Sequence, residues 1–165
     1  MSTDDRADAN LISGERAQIE AFVHDQRREI VALLDGLTEE QARRRLVPSK
    51  TSVLSLVKHA TFVERVWSDV AFEGRTRAEL GLPDEVDLSF DLDDADTVES
   101  VRAAYLAAVA DADAITSSLS LDDVALHNRR SPLSLRWIYL HLVRELARHA
   151  GHGDILREQI LEPGR

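Results

Sequence analysis

The sequence predicts an all-α fold, namely a four-helix bundle with one long crossover connection. Three observations support this prediction. The 165 residues include only 7 glycines and 4 prolines, which lie between long stretches of apolar residues with helical spacing. Four such stretches run for roughly twenty residues each, and four helices of similar length favour a bundle. No segment shows the alternating pattern that is typical of a strand.

The first half of the bundle is predicted to contain two long helices joined by a short one. The first is predicted over residues 14–34. In the short helical segment that follows, Thr38 is a predicted N-cap and Gln41 occupies the capping-box position. The second long helix is predicted to begin after Thr51 or Ser52, because either hydroxyl can accept a hydrogen bond from the first turn.

The third and fourth helices complete the predicted bundle. The third begins near Thr97, and Ser134 is a suitable N-cap for the fourth, which is predicted over residues 135–160. The third helix presents one apolar face with alternating spacings of three and four residues. That face comprises Val98, Val101, Tyr105, Ala108, Ala112, Ile115 and Leu119.

The connection between the second and third helices is long and acidic. It covers residues 74–96, and residues 84–99 carry eight acidic side chains and no basic one. Loops of this length in compact domains are often lids or linkers. We favour a solvated crossover between two parallel helices over a lid.

Composition narrows the classes of function. Residues 1–13 are predicted to form a disordered tail before a single domain at 14–162, and the tail lacks the apolar segment of a secretory signal. The apolar runs are too short to span a membrane, so we expect a cytoplasmic protein. A net charge of −10 disfavours nucleic acid binding. The chain has no cysteine, so any thiol in a reaction must come from another molecule.

Polar side chains lie on the predicted buried faces of the second and fourth helices. His59 falls inside an apolar face, and Glu145 and His149 fall within or beside the apolar stripe of the last helix. The spacing of four residues brings Glu145 and His149 close together. Burying an ionised glutamate costs several kcal/mol unless it is paired, hydrogen-bonded or bound to a metal.

Two interpretations of these groups are open from the residues alone. Two imidazole nitrogens and one carboxylate suit zinc, nickel or iron, with positions left for water or substrate. His152, near His149 on the same helix, then becomes a candidate for proton transfer. The alternative is a buried hydrogen bond between Glu145 and His149 beside an unrelated core histidine, His59.

Two segments, VPSKTSVLSLVKHATFVERVW and SLRWIYLHLVRELARHAGHGDILRE, resemble the DinB superfamily, and more narrowly its actinobacterial branch. The similarity covers roughly residues 15–158. It implies a four-helix bundle with one long crossover and a metal held by three side chains. The family's histidine in the second helix matches His59. Its His-x-x-x-His on the last helix matches Glu145 and His149, and a glutamate at this first position resembles the mycothiol-dependent maleylpyruvate isomerases.

The resemblance also implies a chemistry. Characterised relatives are thiol-dependent isomerases and S-transferases that use mycothiol, bacillithiol or glutathione. The implied function is a metal-dependent transferase or isomerase that joins a mycothiol-like thiol to an electrophile. His59, Glu145 and His149 would hold a divalent metal, with zinc or nickel expected. His152 stands where the family has glutamine and would be the catalytic residue, while His141 would lie just behind the ligands.

Two other functions stay open at this stage. One is a metal-dependent hydrolase, in which water replaces the thiol. The other is a non-enzymatic, metal-binding stress-response dimer. A homodimer is also expected for the transferase, because relatives are often dimers.

Overall fold

The computed structural model describes residues 7–130 and 132–162, and most of these residues are helical. In the described part of the chain the α-helices are α1 (Glu15–Ala32), α2 (Glu39–Arg43), α3 (Val53–Arg65), α4 (Val98–Thr116) and α5 (Leu135–Leu161). A π-helical turn, Val66–Val70, continues α3, and 3-10 helices cover Asp8–Asn10 and Val86–Phe90. The predicted all-α fold is confirmed. Residues 1–6 of the predicted tail lie outside the described residues.

Local capping signals fix the beginnings of α2 to α5, whereas α1 begins after Gly14 without a side-chain cap. The predicted caps Thr38, Ser52 and Ser134 each accept a hydrogen bond from the backbone N–H three residues further on, and Thr97 does the same. At the start of α3 the cap is Ser52, which settles the alternative with Thr51. The four capping residues are Thr38, Ser52, Thr97 and Ser134.

Side-chain contacts give the directions of the helices. Lys58 of α3 pairs with Asp96 just before α4 at 2.6 Å, and Arg65, further along α3, pairs with Asp111, further along α4, also at 2.6 Å. The two helices therefore run parallel, as a long crossover requires. Helix α1 runs parallel to α5, because residues near its start and end contact residues near the start and end of α5. These contacts are Glu15–Arg136 and Leu33–Arg157. Helix α1 runs antiparallel to α4, as shown by the contacts Arg27–Asp113 and Asp35–Arg102.

The acidic crossover is fastened to the bundle by charge and by apolar contacts. Asp87 and Asp91 bind Lys50 at 3.0 and 2.8 Å. Phe90 and Leu92 pack against the main core. The crossover is thus an ordered part of the bundle, and its 3-10 helix lies against α3.

The sequence prediction misses a two-stranded antiparallel sheet, as well as the 3-10 helices Asp8–Asn10 and Val86–Phe90. Strand β1 (Val124–Ala125) pairs with β2 (Leu133–Ser134) just before α5. Strands of two residues are too short to show a period, so no alternation marks them.

A glycine lies where α5 packs beside the end of α1. A Cβ atom at Gly153 would overlap the Leu33 side chain, so a larger residue here would require that side chain to shift. Within the described residues, no helix is both long and apolar enough to cross a membrane.

Candidate metal centre

His59, Glu145 and His149 meet between α3 and α5. Each offers one ligand atom, and these atoms all lie within 4.8 Å of one another. Glu145 Oε1 is 4.0 Å from His59 Nε2 and 3.2 Å from His149 Nε2. The structure therefore brings together the three side chains that the sequence predicts as metal ligands.

The helices place these groups by simple periodicity. His59 lies in the middle of α3 on its buried face and is 2% exposed. On α5, Glu145 and His149 are one turn apart and half-buried, and the helix turns them toward α3. The carboxylate thus lies beside both imidazoles.

Ser89 of the crossover fixes the orientation of the His59 ring. The Ser89 hydroxyl donates its single hydrogen to the Val86 carbonyl at 2.5 Å, so it accepts from His59 Nδ1–H at 2.7 Å. The proton of neutral His59 is then on Nδ1, and Nε2 presents its lone pair to Glu145. A ligating histidine in a metal site usually has such a partner on its other nitrogen.

Phe90, next to Ser89 in the sequence, stacks on the ring of His59. Its ring centroid is 4.0 Å from that of His59, with an angle of 14° between the planes. Sequence analysis missed both Ser89 and Phe90. A histidine on an apolar face needs a hydrogen-bond partner, but no pattern in the irregular acidic segment indicates which residue supplies it.

The electrostatics of the three groups favour a cation. A hydrogen bond from His149 holds the pKa of Glu145 well below its usual range. Burial lowers the pKa of His59, and this effect exceeds the opposing influence of Glu145. At neutral pH the site therefore presents an ionised carboxylate next to a neutral imidazole.

The donor set fits a divalent metal ion. Two imidazole nitrogens and one carboxylate oxygen are the protein ligands of several catalytic metal sites, which leave a further position for water or substrate. His149 Nδ1 is buried and has no hydrogen-bond partner in the described part of the chain. The three side chains can hold a metal ion on the evidence of their positions and chemistry.

A cavity of about 520 Å³ opens beside these residues, and His59 and Glu145 form part of its wall. α3 and its π-helical extension supply an apolar side to the cavity. The apolar lining residues are Phe62, Val63, Val66, Trp67 and Val70. A larger cavity of about 640 Å³ is lined by Lys58 and the aspartates of the crossover and includes none of the three predicted ligands. The smaller cavity is therefore the relevant one for the site.

The other histidines lie around the centre. His141 lines the cavity, where it stacks on Trp137 at 5.2 Å and meets the edge of Trp67 at 4.8 Å. Its Nδ1 accepts a hydrogen bond from Arg144 Nη2 at 3.0 Å. His141 is therefore a residue of the cavity wall. His152 is exposed, with its ring 6.0 Å from that of His149.

His127 is exposed in the loop between α4 and α5. It also borders the cavity, and its ring covers Gly74, where a Cβ would lie 3.1 Å from the imidazole. It is not one of the three grouped residues.

Comparison with known proteins places the chain in a family. No curated protein and no solved structure matches it. A family model described as mycothiol-S-transferase matches residues 18–161, which include α2 to α5, nearly all of α1 and the three grouped ligands. The match agrees with the resemblance to DinB-like proteins, and the chain belongs to the mycothiol S-transferase family.

Proposed function

We propose that the protein is a metal-dependent S-transferase that joins mycothiol, or a similar small thiol, to an electrophile. The observation that carries this proposal is the convergence of His59, Glu145 and His149 within 4.8 Å at the wall of a 520 Å³ cavity. Membership of the mycothiol S-transferase family supports the choice of thiol. The absence of cysteine from the chain agrees with a thiol that comes from outside.

The three ligands would hold zinc or nickel, which are suited to mixed nitrogen and oxygen donors. Such an ion, when bound, deprotonates a coordinating thiol and so makes it nucleophilic at neutral pH. The protein side chains orient the ligands and shape the cavity. Ser89 orients His59, and the apolar wall that includes Phe62 and Trp67 keeps water away from the reacting atoms.

His152 is the proposed proton carrier. Its exposed imidazole lies next to His149, with the two ring centroids 6.0 Å apart. In a substitution, the C–S bond forms, the leaving group departs with its electron pair, and the thiol proton passes to solvent. In an isomerisation, the thiol adds to a double bond and is later eliminated unchanged. In both cases a histidine can move the proton.

A turnover assay with and without thiol tests the proposal. Protein loaded with zinc or nickel is expected to convert a fluorogenic alkylating electrophile only when thiol is present. His149→Ala should lose this activity, and His127→Ala should keep it. Turnover that is the same without thiol would contradict the proposal and favour a metal-dependent hydrolase.

Two further expectations accompany the proposal. We expect a homodimer, which sedimentation velocity would measure, and a cytoplasmic protein, which fractionation of the native host would test. A protein that binds metal but shows no turnover with any thiol would favour the non-enzymatic role.

A further inference from the structure

Arginine side chains crowd the wall of the cavity beside the metal centre. They come from three separate segments: the crossover, the α4–α5 loop and α5 itself. Among the described residues, Glu145 supplies the only carboxylate in the same lining. The arginines are Arg77, Arg129, Arg130, Arg144 and Arg148.

Most arginines outside this cavity form ion pairs with carboxylates, although Arg43 and Arg157 donate to backbone carbonyls instead. Elsewhere in the described chain, ion pairs with carboxylates are formed by Arg16, Arg27, Arg28, Arg65, Arg75, Arg102 and Arg136. Among the cavity arginines and within the described residues, only Arg148 comes within 4.0 Å of a carboxylate. That carboxylate is Glu145, at 3.9 Å. In a chain with a net charge of −10, acidic side chains are abundant, yet they do not neutralise this wall.

Aromatic rings hold two of the guanidinium groups at the cavity. Arg77 lies over Phe62, 5.1 Å from the ring centroid. Arg130 lies 5.8 Å from the centroids of both Trp67 and Trp137. Cation–π contacts of this kind place the positive charges without neutralising them.

The positive charges of the cavity arginines also influence His141. Burial lowers the pKa of His141 against the opposing effect of Glu145. The positive charges of Arg144, Arg130 and Arg148 act in the same direction as burial. Three arginines of the cavity thus lie close enough to His141 to influence its pKa.

We propose that this arginine-lined wall is a binding subsite for an oxyanion, of the carboxylate class, carried by one of the two substrates of the transferase. The inference rests on the proposed function for the identity of those substrates. Arginine suits the role because its planar fork of N–H donors matches a carboxylate in two parallel hydrogen bonds. The sulfur reacts at the metal centre, and the oxyanion binds a few ångströms away along the same cavity.

Matched substrates test the subsite in zinc-loaded protein. The electrophiles are 4-chloro-3-nitrobenzoate and the neutral 4-chloro-3-nitrobenzamide, in which the thiol displaces chloride. The thiols are mercaptoacetate and the neutral 2-mercaptoethanol. Each kcat/KM is divided by the rate of the uncatalysed reaction, so that intrinsic reactivity cancels.

We expect the wild-type protein to prefer the carboxylate form of one substrate by about tenfold or more, the effect of one charge-assisted hydrogen bond. Arg130→Gln combined with Arg144→Gln should reduce that preference toward unity, because the loss of the two guanidinium groups slows the reaction of the carboxylate substrate more than that of its neutral analogue. Arg102→Gln, which removes a paired surface arginine, should keep the preference. A preference on the electrophile or on the thiol assigns the oxyanion to that substrate.

No preference for either carboxylate, or a preference that survives the double substitution, would overturn the inference. Calorimetric binding of succinate to the zinc-loaded protein gives a readout without turnover. Weaker binding in the double variant and in high salt is expected, because the interaction is electrostatic. Succinate binding without thiol-dependent turnover would count against the proposed function alone, and turnover without charge preference would count against the subsite alone.

Discussion

Two glutamates inside the bundle, Glu64 and Glu145, have different kinds of partner. Glu64 of α3 is 1% exposed and receives two parallel hydrogen bonds from Arg27, at 2.8 and 2.7 Å. Asp113 accepts a further bond from the same guanidinium at 2.7 Å. Although burial alone would lower the pKa of Arg27, the attraction of Glu64 and Asp113 raises it overall.

Glu145 has no comparable cation. His149 Nε2 lies 3.2 Å from its carboxylate, whereas Arg148 Nη1 and His59 Nε2 lie 3.9 and 4.0 Å from it. Its side chain is 20% exposed at the cavity wall, whereas that of Glu64 is 1% exposed. The Arg27–Glu64 pair is complete within the chain, whereas the group around Glu145 could hold a metal ion. The first is a structural ion pair and the second a proposed metal site.

The largest expected effect is the loss of metal from a ligand variant. His149→Ala removes one of three donors, so metal binding should fall below detection in protein that has no histidine tag. Inductively coupled plasma mass spectrometry measures the metal content. His127→Ala is the matched control, because it removes an exposed histidine from the same cavity, and it should retain stoichiometric metal.

Breaking the structural ion pair should destabilise the fold without affecting the metal site directly. Arg27→Met leaves the Glu64 carboxylate buried and uncompensated, which costs about 3–5 kcal/mol of unfolding free energy. Urea denaturation of chelator-treated protein measures this change. Arg102→Met, which removes a pair with the exposed Asp35, should cost under about 1 kcal/mol. If the two variants lost the same unfolding free energy, the buried pair would contribute no more to stability than the surface pair, which would contradict this prediction.

Removing the partner of His59 should weaken the metal site moderately. Ser89→Ala frees the ring that Ser89 orients, and loss of such a partner costs roughly 10- to 100-fold in metal affinity. Competition with a fluorescent chelator measures the affinity. The exposed Ser118 provides the control, and Ser118→Ala should leave the affinity unchanged.

The smallest expected effect is on the pH dependence of stability in metal-free protein. The pKa of His59 is lower in the folded chain than the value of about 6.5 in an unfolded one, because the ring is buried. The unfolded state therefore binds more protons as pH falls below about 6.5, and stability decreases in that range. Urea midpoints between pH 7.5 and 5.5 should fall less steeply in His59→Gln, which has no titrating ring. An identical slope in both proteins would contradict this assignment.

Much of the fold follows from local signals. The capping hydroxyls of Thr97 and Ser134 are three residues before the amides that they bind, so the sequence itself specifies these starts. His59, Glu145 and His149 were predictable for a similar reason, because helical periodicity assigns each to an inward face.

The missing parts of the site come from segments without periodicity. Ser89 and Phe90 lie in the acidic crossover, and Arg77 and Arg130 lie in loops. Their side chains reach the centre only because tertiary packing folds these segments over α3 and α5. No spacing rule connects an irregular segment to the helix on which it packs, so the orientation of His59 and the charge of the cavity were not predictable.

The most direct test of the account is the metal content of protein purified without a histidine tag, measured in the wild type and in His59→Ala. His59 and Glu145 come from different helices, so the comparison tests whether α3 and α5 share one ion. The account predicts stoichiometric zinc or nickel in the wild type and its loss in the variant. Wild-type protein that takes up no metal, or a variant that keeps it in full, would contradict a metal centre built from these three side chains.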